Sequence, residues 1–231
     1  MTDTVGAIIL AAGSGTRMAG LDKLFTEVAG RPLLAHAITP FQESESVSRI
    51  VLVVSALNLK RGRELVADFS FTKAEQLVTG GPRRQDSVHI GLEALEDCDY
   101  ITVHDGARPL VSRGLIERGI EALRQVGAAV PALPVTDTLK EARADGSVVR
   151  TVDRTDLYAV QTPQFFRREL LERVHREVTS DATDDAAMFE ALGLPARIFE
   201  GDARNIKVTA PQDLQIVGAL LAHPAVSPQA V

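Results

Sequence analysis

A glycine-rich segment directly after the first apolar run of the chain is suited to binding phosphate. The apolar run covers residues 5–10, and the segment reads Leu10-Ala11-Ala12-Gly13-Ser14-Gly15-Thr16-Arg17-Met18. Its small residues let backbone N–H groups approach a phosphate chain without interference from Cβ atoms. Arg17 can add charge-assisted hydrogen bonds to phosphate oxygens, and Lys23, in the same loop, can act as a clamp. The alternative is an ordinary flexible turn with a solvated lysine.

The spacing in this segment argues against two common nucleotide-binding motifs. A dinucleotide-binding fingerprint needs Gly-x-Gly-x-x-Gly at the start of a helix. Met18 stands where the third glycine should be, and the next helix signal waits until Pro32. A P-loop is excluded as well, because no Gly-Lys-Ser or Gly-Lys-Thr follows. A redox enzyme of the Rossmann type is therefore disfavoured.

An aspartate follows another apolar run, at residues 100–104, in the segment His104-Asp105-Gly106-Ala107-Arg108-Pro109. Open α/β sheets bind their ligands at the carboxyl ends of buried parallel strands. One carboxylate together with substrate phosphates is a normal way to hold Mg²⁺, so Asp105 is the candidate metal ligand, with a turn-forming or capping aspartate as the alternative. Arg108 can meet an anion or pair with a carboxylate, and His104 is expected to be structural.

Three further segments carry candidate ligand contacts. Gly80-Gly81 allows close approach of a nucleotide base, and the nearby Asp86 or Ser87 either caps the next helix or contacts the ligand. Thr183 is expected to be a helix N-cap, although helix N-termini also bind phosphate. Lys207 is isolated in a short apolar segment, where burial without a partner is costly. It must therefore reach the surface or meet an anion.

The elements that must position these residues alternate between strand and helix. Apolar runs predict strands at residues 5–10, 49–55, 76–79, 100–104 and 128–135. Helical spacing starts at Pro32 and recurs at 58–69, 84–96, 112–126, 167–178, 184–192 and 211–221. This alternation predicts an α/β fold, a Rossmann-like and mostly parallel sheet with helices on both faces.

The alternation stops after about residue 134, where a hairpin is expected instead. Residues 137–142 and 147–152 flank Ala144-Asp145-Gly146, and Asp-Gly is a hairpin turn signal. An isolated hairpin is too small to bury its own face. It must pack on the rest of the domain or on another chain.

Composition limits the classes of function. The chain has 231 residues, which suits one α/β domain, and a net charge of -6, which argues against a nucleic-acid-binding face. The five histidines show no metal-ligand spacing, and the single Cys98 rules out a disulfide within the chain. No apolar run reaches about 20 residues and no signal peptide is seen, so no membrane contact and a cytoplasmic location are expected.

Taken in order, these segments resemble one family, the 2-C-methyl-D-erythritol 4-phosphate cytidylyltransferases. The resemblance covers residues 5–221 and includes the loop at 11–18 and the segment at 104–109. It also includes Pro134-Val135-Thr136-Asp137-Thr138-Leu139-Lys140, Thr151-Val152-Asp153-Arg154, Gln161-Thr162-Pro163-Gln164-Phe165-Phe166, Thr183-Asp184-Asp185-Ala186 and Asn205-Ile206-Lys207-Val208-Thr209. Each motif alone is weak, but the ordered set is highly specific.

The resemblance implies transfer of CMP from CTP to 2-C-methyl-D-erythritol 4-phosphate in the non-mevalonate route to isoprenoid precursors. It implies one nucleotidyltransferase domain over residues 1–231 that uses Mg²⁺ or another divalent cation held by Asp105, and a homodimer formed through a β-arm at about residues 136–156. The implied catalytic residues are Arg17, Lys23, Lys207 and Arg154. The implied CTP contacts are Ala11, Ala12, Gly13, Ser14, Gly15, Gly81, Ser87 and Asp105. The implied acceptor contacts are Arg108, Thr138, Thr162 and Thr183.

Two alternatives stay open at this point. One is a cytidylyltransferase of the same superfamily that acts on ribitol 5-phosphate, although the segment at residues 151–154 favours methylerythritol phosphate. The other is a non-catalytic nucleotide-binding protein that keeps the fold. The presence of Arg17, Lys23, Asp105 and Lys207 argues against the second alternative.

Overall fold

An eight-stranded sheet runs through the protein in a computed structural model that describes residues 3–13 and 23–223. The strands are β1 (Val5–Ala11), β2 (Glu27–Val28), β3 (Arg31–Pro32), β4 (Arg49–Val54), β5 (Gln76–Thr79), β6 (Tyr100–Asp105), β7 (Ala128–Pro134), β8 (Leu139–Ala142), β9 (Val148–Val152), β10 (Tyr158–Val160), β11 (Gln164–Arg167) and β12 (Arg197–Glu200). Their order is β10-β7-β11-β6-β1-β4-β5, and β12 also pairs with β7.

The centre of the sheet is parallel. β1 lies between β4 and β6, with Ile8 opposite Val51 on one side and opposite Val103 on the other. β5 extends the sheet in parallel beyond β4. The apolar runs of these strands are typical of parallel strands that are covered on both faces, and the strand predictions for this region are confirmed.

Seven helices in the described residues cover both faces of the sheet. They are α1 (Leu33–Glu43), α2 (Leu59–Asp68), α3 (Arg84–Glu93), α4 (Arg113–Val126), α5 (Arg168–Glu177), α6 (Asp185–Ala191) and α7 (Pro211–Ala222). Successive residues of a strand point to opposite faces. Ile8 therefore belongs to the core cluster that contains side chains of α3 and α5, whereas Ile9 belongs to the cluster that contains side chains of α1 and α4. The predicted α/β fold class, a mostly parallel sheet with helices on both faces, is confirmed. None of the helices in the described ranges has both the length and the apolar character that a membrane span needs.

Three strands of the sheet were not predicted. β11 runs antiparallel between β6 and β7, and its Phe165 and Phe166 are both fully buried, one in each core. β10 continues the same edge of β7 in antiparallel pairing, while β12 pairs with β7 in parallel. These strands have three or four residues each. Such short runs carry little periodic signal, and tertiary pairing rather than local sequence determines them.

The predicted hairpin forms as β8 and β9, which pair only with each other in a separate two-stranded sheet. Gly146 in its turn has a φ of 83°, a conformation that residues with a Cβ rarely adopt. We call residues 136–156 the hairpin arm. Most of its side chains are exposed, including Val148 and Val149.

Candidate active site

The loops after β1 and β5 meet at the carboxyl edge of the parallel strands. A Cβ on Gly80 would lie 2.5 Å from the Cβ of Ala12 and 2.7 Å from Oγ of Ser87, so only glycine allows this close approach. The N–H of Gly81 donates to Oγ of Ser87 at 3.1 Å. Three of the residues expected to contact CTP, Ala12, Gly81 and Ser87, are therefore brought together.

Asp105 ends β6 at the same edge and is held by two cations. Its Oδ2 lies 2.7 Å from Nζ of Lys207, and its Oδ1 lies 3.8 Å from Nε of Arg84. The side chain of Asp105 is only 13% exposed. Burial disfavours the charged carboxylate, but the neighbouring charges of Lys207 and Arg84 outweigh it and lower the pKa of Asp105 to about 2. Asp105 is thus ionised at neutral pH.

Beneath Asp105 lies a buried chain of hydrogen bonds. The N–H of Asp105 donates to Oγ1 of Thr162 at 3.0 Å, and that hydroxyl lies 3.2 Å from Nδ1 of His104. The other ring nitrogen of His104, Nε2, is 3.1 Å from the carbonyl oxygen of Arg108. Every contact is satisfied when the imidazole is neutral with its proton on Nε2. Burial lowers the pKa of His104 to about 4. The buried ring, with a partner for each nitrogen, agrees with the expected structural role.

A loop before α7 closes one side of Asp105. The N–H of Val208 donates to the carbonyl of Ala107 at 2.8 Å, and Nη1 of Arg108 donates to the carbonyl of Asn205 at 2.7 Å. Lys23 is drawn to the same loop, where its Nζ donates to the carbonyl of Val208 at 2.8 Å. Three of the predicted cationic residues, Lys23, Arg108 and Lys207, are therefore connected through the loop at residues 205–208, beside the end of β6.

One hydrogen-bond donor of Arg108 is unused among the described residues. Its Nε is buried and has no partner among the described residues. Burial lowers the pKa of the Arg108 guanidinium, against the opposing effect of Asp105. A cation that is partly buried with an unused donor is suited to binding an anionic ligand.

Comparison with known proteins shows the family of the chain. A family model described as 2-C-methyl-D-erythritol 4-phosphate cytidylyltransferase (IspD) matches residues 5–223. A relative of that description from Dehalococcoides mccartyi is 46% identical over 96% of this chain and 97% of its own length. One from Geobacillus kaustophilus is 44% identical over 94% of this chain and 96% of its own.

The chain belongs to the family of 2-C-methyl-D-erythritol 4-phosphate cytidylyltransferases.

Solved structures agree with this assignment. A crystal structure of 2-C-methyl-D-erythritol 4-phosphate cytidylyltransferase from Thermus thermophilus has a TM-score of 0.77 at 36% identity, covering 93% of this chain and 98% of the other. One of 4-diphosphocytidyl-2C-methyl-D-erythritol synthase from Anaerococcus prevotii has a TM-score of 0.84 at 29% identity, covering 96% and 97%. As a member of the cytidylyltransferase family, the chain is a nucleotidyltransferase, and the resemblance stated from its motifs is confirmed.

The prediction that Thr183 is the N-cap of its helix is wrong. The N-cap of α6 is Asp184, whose carboxylate accepts the N–H of Ala187 at 2.9 Å. Thr183 is the exposed residue before it. Gln164 at the start of β11 donates to Asp184 at 2.7 Å, which places Thr183 at the same edge of the sheet as Asp105.

The possible caps of α3 are also resolved. The helix begins after Arg83, and the carboxylate of Asp86 accepts the N–H of Arg83 at 3.0 Å. Asp86 therefore closes the first turn of the helix. Ser87 lies one residue further on and is tied to Gly81 instead.

Within one chain the structure does not join the hairpin arm to these residues. Thr138 and Arg154 are exposed. In the described part of the chain, neither forms a hydrogen bond or ion pair with Asp105, Lys207 or Arg108. The predicted contacts at Ser14, Gly15 and Arg17 lie outside the described residues.

The residue that sequence reasoning missed is Arg84. It lies in the first turn of α3, between Asp105 and Asp185. A cation in the first turn of a helix opposes the helix dipole. That mismatch is the signal in the sequence that Arg84 has an acidic partner elsewhere in the fold.

Proposed function

We propose that the chain transfers the cytidylyl group of CTP to 2-C-methyl-D-erythritol 4-phosphate at the carboxyl edge around Asp105. The products are pyrophosphate and 4-diphosphocytidyl-2-C-methyl-D-erythritol. The observation that carries the proposal is the ionised, partly buried Asp105 with Lys207 at 2.7 Å, in a chain that belongs to this family. We call the edge around Asp105, with Gly81, Arg108, Thr162 and Lys207, the strand-end site.

Asp105 fits the role of a Mg²⁺ ligand. No group of three or more acidic, histidine or cysteine side chains suited to a metal occurs among the described residues. Mg²⁺ in nucleotide-binding sites is commonly held by one or two carboxylates plus substrate phosphates and water, and Asp105 supplies that carboxylate. When bound there, a divalent cation would neutralise charge on the triphosphate.

Lys207 would then change partner. Its ammonium group lies 2.7 Å from Oδ2 of Asp105, and its side chain is 45% exposed and can turn towards solvent. An incoming triphosphate offers a stronger anionic partner. We expect Lys207 to move onto the α-phosphate and to release Oδ2 of Asp105. Arg17 and Lys23 would hold the other phosphates of CTP.

The reaction needs no general base. The nucleophile is a phosphate oxygen of the acceptor, whose second pKa is about 6, so it is largely dianionic at neutral pH. The obstacle is repulsion between this dianion and the triphosphate. Cations that neutralise charge and align the two substrates supply the catalysis. The neutral, buried His104 agrees with this mechanism because it is not available as a base.

The nucleoside would lie against the loops after β1 and β5. Gly80 lets Ala12 and Ser87 approach each other, which leaves the backbone of Gly81 and the end of β1 facing the same space. Ala11, Ala12, Gly13, Gly81 and Ser87 would surround the cytidine, with Ser14 and Gly15 at the phosphates. The fixed backbone groups of this pocket would select the base.

The acceptor would be held by two subunits. Arg108 and Thr162 would come from the strand-end site and Thr183 from the same edge of the sheet. Thr138 and Arg154 would come from the hairpin arm of a second copy. Among the described residues, five of the eight exposed large apolar side chains lie in or just after the arm: Val148, Val149, Leu157, Tyr158 and Val160. An exposed apolar cluster on a protruding element favours a self-complementary homodimer.

A pyrophosphate-release assay tests the reaction. Four nucleoside triphosphates would be crossed with 2-C-methyl-D-erythritol 4-phosphate and ribitol 5-phosphate. We expect release only with CTP and the methylerythritol acceptor, and loss of release in Asp105→Asn. Faster turnover with ribitol 5-phosphate would show that ribitol 5-phosphate is the acceptor. Binding of CTP without release for either acceptor would contradict the enzymatic function.

A further inference from the structure

A line of alternating charges runs from the strand-end site into the core between α3, α5 and α6. Lys207 pairs with Asp105, Asp105 lies beside Arg84, and Nη1 of Arg84 bonds Oδ2 of Asp185 at 2.6 Å. The line ends at His175, whose Nε2 lies 3.0 Å from Oδ1 of Asp185. Each carboxylate in the line is thus flanked on two sides.

The inner part of this line is buried. The side chain of Asp185 is 0% exposed and that of His175 is 2% exposed. A buried carboxylate is strongly destabilising unless it is paired and hydrogen-bonded. Burial tends to raise the pKa of Asp185, but Arg84 and His175 outweigh it and lower that pKa. Asp185 is therefore an ionised anchor for Arg84.

The anchor also joins two segments of the proposed site. Arg84 lies in the same turn of α3 as Ser87, and Asp185 follows Thr183 and the cap of α6. Gln85 strengthens the junction with uncharged bonds, since its side chain contacts the carbonyl of Ser180 and the N–H of Ala182. The nucleotide side and the acceptor side of the site are thus fixed to each other beneath Asp105.

The distances from Arg84 to the two carboxylates differ in a way that matters for Asp105. Nη1 of Arg84 donates to Oδ2 of Asp185 at 2.6 Å, whereas Nε of Arg84 lies 3.8 Å from Oδ1 of Asp105, beyond hydrogen-bonding distance. Nη2 of Arg84 is buried and has no hydrogen-bond partner among the described residues. It lowers the energy of the Asp105 carboxylate by charge without locking the oxygen. Asp185 restrains the guanidinium from closing on Asp105.

We infer that Arg84, restrained by Asp185 and His175, is a positioning residue that keeps the carboxylate of Asp105 oriented yet available to a metal–nucleotide complex. This inference rests on the proposed function, because it concerns the carboxylate that would hold Mg²⁺. Without the restraint, Arg84 closes on Asp105 and competes with the metal. Partners of this kind, one step removed from a metal ligand, typically change metal affinity by about 10–100-fold when mutated.

The test is calorimetric binding of CTP, without acceptor, over a series of Mg²⁺ concentrations. We expect Asp185→Asn to raise the Mg²⁺ concentration needed for half-maximal binding by about 10–100-fold, while binding without Mg²⁺ changes little. Adding Arg84→Gln to Asp185→Asn should restore part of the Mg²⁺ affinity, because the released guanidinium is then absent. Gln85→Met is the matched control, since it loosens the same junction without changing any charge.

The outcomes separate a positioning role from a structural one. If Asp185→Asn and Gln85→Met lower the melting temperature alike and neither changes the Mg²⁺ dependence, Arg84 is only structural and the inference is overturned. It is also overturned if the double variant binds Mg²⁺ no better than Asp185→Asn. Should Asp185→Asn fail to fold, His175→Gln, which removes the other restraint on Asp185, is expected to raise the Mg²⁺ requirement in the same direction, and an unchanged requirement there overturns the inference. If the wild-type protein itself shows no Mg²⁺-dependent binding of CTP, the proposed function fails instead.

Discussion

The strand-end site and the hairpin arm hold their charged residues in opposite ways. Asp105 is 13% exposed, its carboxylate lies beside Lys207 and Arg84, and its backbone N–H donates to the hydroxyl of Thr162. Arg154, on the arm, is exposed, and its backbone carbonyl accepts a hydrogen bond from the N–H of Leu157. The first region is organised by contacts within the chain. The second presents its side chains to solvent.

This contrast indicates how the work of the site would be divided. Charges that must be accurately placed before the reaction are preorganised most effectively where water is excluded and neighbours are fixed. The strand-end site would meet that condition for the proposed nucleotide and metal within a single chain. The hairpin arm meets this condition only when another surface covers it. The proposed acceptor site, shared between two subunits, would provide that surface. Variants in each region can therefore break or sharpen the comparison.

The largest effect is expected at Lys207. Lys207→Ala removes the cation that would move from Asp105 to the α-phosphate, and we expect a loss of about 3–4 kcal/mol of transition-state stabilisation, roughly 10²–10³-fold in kcat/KM. The fold should survive because the side chain is 45% exposed. Steady-state kinetics and a melting curve provide the measurement. Lys60→Ala, at a lysine that is 88% exposed, is the control. Near-wild-type turnover would remove Lys207 from the mechanism.

The arm is tested next, through Arg154. Arg154→Ala alone should be almost inactive, because a cation for the acceptor is lost. If the arm serves the neighbouring subunit, mixing Arg154→Ala with Lys207→Ala gives heterodimers with one intact site. A random mixture then recovers about a quarter of wild-type activity. Subunit exchange would be verified by native mass spectrometry, and absence of recovery after exchange would place Arg154 in the site of its own chain or outside it.

The sequence predicts the strand-end site better than the buried contacts beneath it. Long apolar runs predict β1, β4 and β6, and hence the edge where Asp105 lies. Lys207 is predictable for a physical reason, since a lysine in an apolar segment needs an anion or water. In the structure the side chain of Lys207 is 45% exposed, and its Nζ lies 2.7 Å from Oδ2 of Asp105. A structural feature can be predicted from local chemistry when the residues that determine it all lie in one segment.

Where distant segments must meet, the sequence is not sufficient. Arg84 is paired with a carboxylate 101 residues away, and no local pattern identifies that partner. The N-cap of α6 illustrates a smaller failure, because Thr183 and Asp184 are both good caps and only the tertiary bond to Gln164 shows which one is used. β11 is similarly short, and its strand state depends on β6 and β7.

A smaller effect is expected from the apolar side chains of the arm. Val148→Asp combined with Val149→Asp should weaken self-association by about tenfold or more, since burying one aliphatic side chain contributes about 1.5–3 kcal/mol. The control is Ile198→Asp combined with Ile216→Asp, because Val149 and Ile198 are both 44% exposed, and Val148 and Ile216 are 58% and 49% exposed. Sedimentation velocity over a concentration series measures both. Equal effects of the two pairs would show that the arm has no special role in association.

The smallest effect concerns His104, beneath the strand-end site. Its pKa is lowered from 6.5 to about 4 by burial, so the unfolded chain takes up a proton between these values that the folded chain does not. The contribution of neutral His104 to stability is therefore complete above about pH 6.5 and is lost as the pH falls towards 4. We expect the free energy of unfolding to be lower by about 1 kcal/mol at pH 5.5 than at pH 7.5 from this residue. Urea denaturation in a metal-free buffer measures it.

The variant His104→Gln separates this contribution from other titrations. Gln can still donate to the carbonyl of Arg108 but carries no titratable group, so the variant should be less stable overall and show a shallower pH dependence than the wild type. His89→Gln, at a histidine that is 55% exposed, should keep the wild-type slope. If His104→Gln kept that slope too, the fold would not hold the imidazole neutral. The interior beneath the strand-end site would then not be preorganised in the way that distinguishes it from the solvent-facing arm.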